Sequence, residues 1–287
     1  MKDRALVLGG GGVAGIAWMT GLLLGLSEQN VDLRQAEWTI GTSAGATLGA
    51  QVGGMVSLQE LFRRMVEPSA QGREITPDPR GLESFQKARA TFSSITDRAE
   101  RIRQIGKWAL ASPTISESER RKVVEERLPG HAWPDRDLAI VAIDAQSGEI
   151  QVFDRKSGVH LVDAVGASCA LPGIWPPVTT RGRRYMDGGV RSAENADLAT
   201  GYARVVILSP MGTTLPRIGG GGLEEQIEIL QQAGSQPYAI TPDAKSRRAI
   251  GLNPLSPETR RPAAKAGRQQ GRVIAAELAE FWNGRSA

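Results

Sequence analysis

Ser43 stands in Gly41-Thr42-Ser43-Ala44-Gly45, the Gly-X-Ser-X-Gly spacing in which a tight strand-to-helix turn lifts a serine hydroxyl clear of its neighbours. A serine hydroxyl is a weak nucleophile at neutral pH and needs a base to take its proton. The chain offers two histidines for that role, His131 and His160. His131 falls in the proline-bounded turn LPGHAWPD and His160 at the start of a predicted helix, SGVHLVD, and neither setting suits a general base. The expected base is therefore a carboxylate. Asp187, in YMDGG, follows a short strand and precedes Gly188 and Gly189, which keep side-chain bulk away from the acid and allow a tight turn beside a partner. An aspartate becomes a useful base once partial burial raises its pKa.

Attack on a carbonyl creates an oxyanion, and donors fixed where that charge develops help catalysis most. LVLGGGGVAGIAWMTGLL, from Leu6 to Leu23, carries four consecutive glycines and no charged side chain; the amides of Gly10, Gly11 and Gly12 are the candidate donors. The same run contains Gly10-X-Gly12-X-X-Gly15, the spacing of a dinucleotide-binding turn, with Asp32 or Glu37 as the acid expected about 20 residues on. A nucleotide-binding module is thus an alternative reading, whereas the absence of Gly-Lys-Ser/Thr excludes a P-loop. The uncharged stretch from Ala5 to Leu26 is long enough to cross a bilayer, but glycines weaken a helix by about 1 kcal/mol each, so a strand, a loop and a buried helix fit better. Cys169, in GASCALPG, has no histidine beside it and reads as a small packing residue.

The elements that must position these residues are legible in part. RALVLGG reads as a strand and Val13 to Glu28 as a helix; Trp38 to Ile40 and Ala44 to Val52 repeat the arrangement, and two such units predict an α/β sheet. After Pro77 and Pro79, Phe85, Ala88, Phe92, Ile95, Ala99, Ile102 and Ile105 recur at helical spacing, predicting a helical insert at about 80–128 that either packs on the core or forms a lid over an apolar cleft. Leu138 to Phe153 reads as a hairpin around Ser147-Gly148, Val159 to Ala167 as a helix, and SCALPGIWPPV as a shaped loop. ARVVILSP and QPYAITPD are further strands, and RIGGGGLEE is a candidate flexible loop. A long helix runs from Pro257 to Trp282 behind Ser256 as N-cap and ends at Asn283-Gly284. Its Arg260, Arg261, Lys265, Arg268 and Arg272 read as a solvated face, with a membrane-facing patch as the alternative. With no repeat or evident linker, one domain spanning 1–287 is expected.

Apolar residues form 40% and charged residues 23% of the 287, as in ordinary soluble globular proteins. A net charge of +4 predicts weak attraction to anionic surfaces, and no basic patch interleaved with aromatics points to nucleic acid. A single cysteine excludes an intramolecular disulfide framework and a multi-cysteine zinc site, which suits a cytoplasmic location; MKDRALVL does not read as a secretory signal.

In this order, GGGGVAG, GTSAG, SCALPGIWPPV and DGG resemble the patatin-like phospholipases, over about residues 6–190. The resemblance implies a three-layer α/β/α sandwich with a mostly parallel central sheet and a helical insert over the cleft. It also implies a Ser43-Asp187 dyad, an oxyanion hole at Gly10, Gly11 and Gly12, and motif glycines at Gly15, Gly41, Gly45, Gly188 and Gly189. The implied activity is release of fatty acids from lipids without calcium. No metal or cofactor is expected; the expected location is cytoplasmic and peripheral to the membrane, with the net positive charge drawing the protein transiently to an anionic surface. A general carboxylesterase, an acyltransferase and an inactive lipid-binding scaffold are alternatives on the same residues. Two departures stand out: Ala14 replaces the arginine that many members carry, and Leu8 replaces the acid of the plant members.

Overall fold

The structure, a computed structural model, describes residues 2–54, 56–212 and 221–284. Strand β1 (Lys2–Leu8) sends Ala5 and Val7 to one face and Leu6 and Leu8 to the other, and all four are fully buried. A strand apolar on both sides requires cover on both faces, the signature of a parallel sheet inside helical layers. Helix α1 (Gly12–Ser27) comes next, then β2 (Trp38–Thr42), α2 (Ala44–Val52) and α3 (Leu58–Val66). The predicted insert comprises α4 (Pro79–Ser93), α5 (Arg98–Ala111) and α6 (Glu117–Arg127). The chain continues through β3 (Leu138–Asp144), β4 (Ile150–Phe153), α7 (Leu161–Ser168), β5 (Val178–Thr180), β6 (Arg183–Asp187) and β7 (Tyr202–Leu208). It closes with α8 (Leu223–Gln232), β8 (Gln236–Ile240), α9 (Ala244–Ile250) and α10 (Arg260–Asn283).

The sheet order is β5-β6-β3-β2-β1-β7-β8, with β4 also on β3. β3, β2, β1, β7 and β8 are mutually parallel, while β4, β5 and β6 pair antiparallel. The register explains how distant segments meet. β3 outruns β2, which ends with Thr42 opposite Val141, and β6 takes over with Asp187 opposite Ala142. Since β4 holds the other edge of β3 at these residues, β6 occupies the edge that β2 vacates. Asp187 is thereby delivered beside the end of β2.

Helices α1, α2, α3, α7 and α10 cover one face and α5 and α8 the other, giving the expected three layers. The uncharged stretch from the first glycines onward is a buried helix: Val13 to Leu26 are all buried in α1, against α10. Glycines permit that contact, since a Cβ at Gly21 or Gly25 would sit about 2 Å from the Ala264 or Arg268 carbonyl oxygen of α10. No helix among the described residues is long and apolar enough to cross a membrane.

The insert differs from the continuous helical pattern expected. Its periodic stretch breaks at Ser94 to Asp97, and the two halves do different things. In α5, Ile102, Ile105 and Ala109 pack on Ile143 and Met186 of the sheet, whereas α4 has no buried residue. The hairpin, the helix at 161–168 and the terminal helix fall where expected, although Pro257–Thr259 forms a 3-10 turn ahead of α10, with Ser256 making no side-chain cap. Of the loop candidate RIGGGGLEE, residues 217–220 lie outside the described residues and Leu223 to Glu225 open α8.

Candidate active site

Ser43 sits between β2 and α2 with φ 54° and ψ −111°, a conformation costing a non-glycine residue about 1–3 kcal/mol. The flanking glycines make the turn sterically feasible. A Cβ at Gly45 would lie 1.8 Å from the Leu8 carbonyl oxygen, and one at Gly41 would lie 2.7 Å from that of Gly45. Contacts from the end of α7 hold the strained residue: the Ser43 amide donates to Ser168 Oγ (2.8 Å), which donates to the Val141 carbonyl (2.6 Å), while Cys169 Sγ donates to the Ser43 carbonyl (3.2 Å). Cys169 is thus a packing and positioning residue, and burial pushes its thiol pKa up, away from nucleophilic use.

Asp187 ends β6, 3% exposed, accepts a hydrogen bond from the Gly189 amide (2.7 Å), and lines the same cleft as Ser43, whose side chain is near enough to favour its ionised form. Burial pushes its carboxyl up to about 7, against the pull of those two groups. Asn195, fully buried, ties the two halves together, its Nδ2 donating to Thr42 Oγ1 (3.1 Å), the Gly188 carbonyl (3.2 Å) and the Ser192 carbonyl (2.7 Å). His131 and His160 are both exposed on the surface, away from this cluster.

The glycine turn corrects one expectation. The Gly10 amide donates to the Ala193 carbonyl at 2.8 Å, so it is already engaged. A Cβ at Gly10 would meet the Ser43 Cβ at 3.6 Å, an ordinary contact distance, so the turn does not exclude a side chain there. Among the described residues no acceptor engages the amides of Gly11, Gly12 or Ala44, at the first turns of α1 and α2. Neither turn glycine has room for a side chain, since Gly11 abuts Pro210 (2.6 Å) and Gly12, at φ 60°, abuts the Pro254 carbonyl (2.8 Å). Gly15 and Gly188 pack likewise against Pro210 and Val141.

The dinucleotide reading fails on strand direction. Asp32 caps a short turn and pairs with Arg34, and Glu37 accepts from the Asp3 amide. Both precede β2, at the opposite end of the sheet from the glycine turn, and Ser43 occupies the place where a ribose acid would stand.

Around Ser43 and Asp187 opens a cleft of about 500 Å³. Its walls include Ile16, Leu82 and Phe85, with Leu171 and Trp175 from the proline-rich loop, so α4 does border the cleft. Arg120, Arg127 and Glu74 line it as well. The basic run of α10 is largely paired: Arg260 meets Glu74, and Arg268 and Arg272 meet Glu28, while Arg261 and Lys265 are exposed.

Sequence reasoning missed Ser168, Asn195, the Ala44 amide and the arginines of the cleft. Ser168 adjoins Cys169 in GASCALPG and gave no signal beyond small size; Asn195 lies at φ 52°, a conformation to which Asn is suited, but Thr42, the partner that ties it to the Ser43 turn, is far away in sequence.

Residues 6–200, more than half the chain, match the model of the patatin-like phospholipase family. The chain belongs to that family, a class of lipid hydrolases. Among solved structures it is similar to VipD from Legionella pneumophila (15% identity, TM-score 0.45), covering 96% of this chain and 67% of that one. It is also similar to the type III effector protein ExoU (16% identity, TM-score 0.41), covering 96% of this chain and 53% of that one.

Proposed function

We propose that the chain hydrolyses fatty-acyl esters of lipids through Ser43 and Asp187. The observation that carries this reading is the placement of Ser43, on a strained strand-to-helix turn, beside the buried carboxyl of Asp187 in one apolar cleft, next to unengaged backbone amides. Asp187 takes the hydroxyl proton as Ser43 Oγ bonds to the ester carbonyl carbon, and the carbonyl electron pair moves onto oxygen. The amides of Gly11, Gly12 and Ala44 hold that oxyanion. Its collapse breaks the ester bond, and the departing alcohol takes the proton from Asp187. Water then repeats the sequence on the acyl-serine, releasing the fatty acid and restoring Ser43. The cleft volume lies in the ordinary range for ligand sites, and its apolar walls suit an acyl chain. Leu252, fully exposed on the cleft rim, and the net positive charge support transient contact with an anionic membrane surface.

Hydrolysis of p-nitrophenyl esters of increasing acyl length tests this. Wild type is expected to favour medium and long chains, and Ser43→Ala and Asp187→Ala each to lose at least about a thousandfold in kcat. A fluorophosphonate should label wild type and not Ser43→Ala. Activity confined to the shortest esters would favour a general carboxylesterase, and loss in only one variant would break the dyad.

A further inference from the structure

The wall of the cleft carries a charge imbalance that the acyl chemistry leaves unused. Glu74, its side chain 4% exposed, pairs with Arg120 (3.3 Å), Arg127 and Arg260 (2.9 Å). Three guanidiniums thus share one carboxylate in a desolvated place, where uncompensated charge is costly. They are unequally used. Arg127 donates to Glu74 through both Nε (3.1 Å) and Nη2, and Arg260 adds the Gly72 carbonyl (3.3 Å). Arg120, 7% exposed, reaches Glu74 through Nη1 alone; its Nε has no partner, and its guanidinium lies 3.8 Å from the centre of the Trp175 ring.

Arg120, Trp175 and Ser43 line the same cleft, and Cys169 bridges the interval, touching the Ser43 carbonyl while lying in the field of Arg127 and Arg120. Behind Glu74 and Arg127 lies a second cavity of about 210 Å³, lined by Arg260, Glu126 and Gln51. Gln51 is 3% exposed, and its Oε1 lacks a partner. An anion on the ester substrate would balance the arginines, and a hydroxyl beyond it would serve Gln51. At the glycine turn Ala14 is fully buried and supplies no cation; the cations lining the cleft are Arg89 of α4 and, held in place on Glu74, Arg120 and Arg127.

We propose that Arg120, backed by Arg127 on Glu74, is a subsite for the phosphate in the head of a phospholipid, so that the cleft selects acyl esters carrying phosphate over neutral ones. The planar guanidinium fork matches phosphate oxygens, and stacking on Trp175 fixes its plane. This rests on the hydrolase reading of Ser43 and Asp187.

The test compares phosphatidylglycerol with diacylglycerol of the same chains, each in detergent micelles, as the ratio of their kcat/KM values. Arg120→Met keeps aliphatic bulk over Trp175 and leaves Glu74 paired with Arg127 and Arg260. Wild type is expected to prefer the phospholipid by more than about tenfold, and Arg120→Met to lose about tenfold of that preference, the scale of one charged hydrogen bond. Arg120→Lys, which keeps the charge without the fork, is the second variant and should fall between them. Equal wild-type rates on the two lipids, or a ratio unaltered in both variants, overturns the proposal.

A second arm needs no turnover. Glycerophosphoglycerol should raise the Tm of wild type and of Ser43→Ala but not of Arg120→Met, and no shift in wild type overturns the subsite. A shift with inorganic phosphate but none with the phosphodiester also overturns it, assigning the site to the free ion. If no ester is hydrolysed yet the phosphodiester shift persists, the hydrolase reading falls and the phosphate subsite stands.

Discussion

Asp187 could serve as the proposed base only while ionised, yet its surroundings resist the charge: burial pushes the carboxyl up to about 7 despite the Gly189 amide and the Ser43 hydroxyl. On a neutral p-nitrophenyl ester, kcat/KM is expected to rise about tenfold per pH unit below 7 and to level above it, and a profile flat from about pH 5 to 8 would contradict the dyad. Stability has the opposite sign. The folded pKa lies above the ordinary 3.8, so the native state keeps a proton that the unfolded chain releases. The contribution is complete below about pH 4 and is lost as pH rises through about 7, amounting to about 4 kcal/mol at 1.36 kcal/mol per unit. Asp187→Asn keeps an oxygen for the Gly189 amide and removes the ionisation. Thermal melts should show it more stable than wild type at pH 8, with the gap closing towards pH 4. At this scale the sequence was informative about Ser43 and Asp187, because their flanking glycines mark sharp turns. It was silent about Gly10, whose amide is taken by Ala193 from a distant loop.

The elbow is an agreement between elements, since α2 must approach β1 closely enough to leave no space at Gly45. Gly45→Ala would place a methyl group 1.8 Å from the Leu8 carbonyl oxygen, forcing α2 away from the sheet and dragging Ser43 off Asp187. The expected outcome is a loss of about 3 kcal/mol or more in urea unfolding, together with most ester hydrolysis. A variant with wild-type stability and rate would mean that the turn tolerates a wider spacing. The two strand-helix units of the first 52 residues were readable because apolar runs and glycines coincide there. The helix starts at Ser57, Asp97 and Ser116 carry a local signal of their own. Each cap accepts the amide of a glutamate three residues on, Glu60, Glu100 or Glu119, the spacing of a capping box. Apolar periodicity bridges the break before Asp97 and conceals it.

Across the whole molecule, the family match ends at residue 200, yet the site depends on residues beyond that point. Pro210, Pro254 and Leu255 close on the glycine turn, and α10 packs along α1, so the C-terminal segments enclose the surroundings of Ser43. The basic character of α10 was plain from composition, but its pairing was not, because Glu28 and Glu74 are remote in sequence and only folding brings them near. Glu74 joins three distant parts of the chain: its own segment before α4, the insert through Arg120 and Arg127 of α6, and α10 through Arg260. Burial raises its pKa, but Arg127, Arg120 and Arg260 outweigh that and hold the carboxyl below its ordinary 4.5. The stability it confers is therefore present above about pH 4.5 and lost as pH falls through the lowered value. Glu74→Gln leaves three guanidiniums facing one another and is expected to cost about 3–5 kcal/mol at pH 7 in urea unfolding. The difference from wild type should shrink as the pH falls below the ordinary 4.5 and through the lowered value. Adding Arg120→Met to Glu74→Gln should recover part of the loss, because it removes one of the stranded charges. A cost below about 1 kcal/mol, or no recovery in the double variant, would show that solvent screens the cluster as it does a surface ion pair.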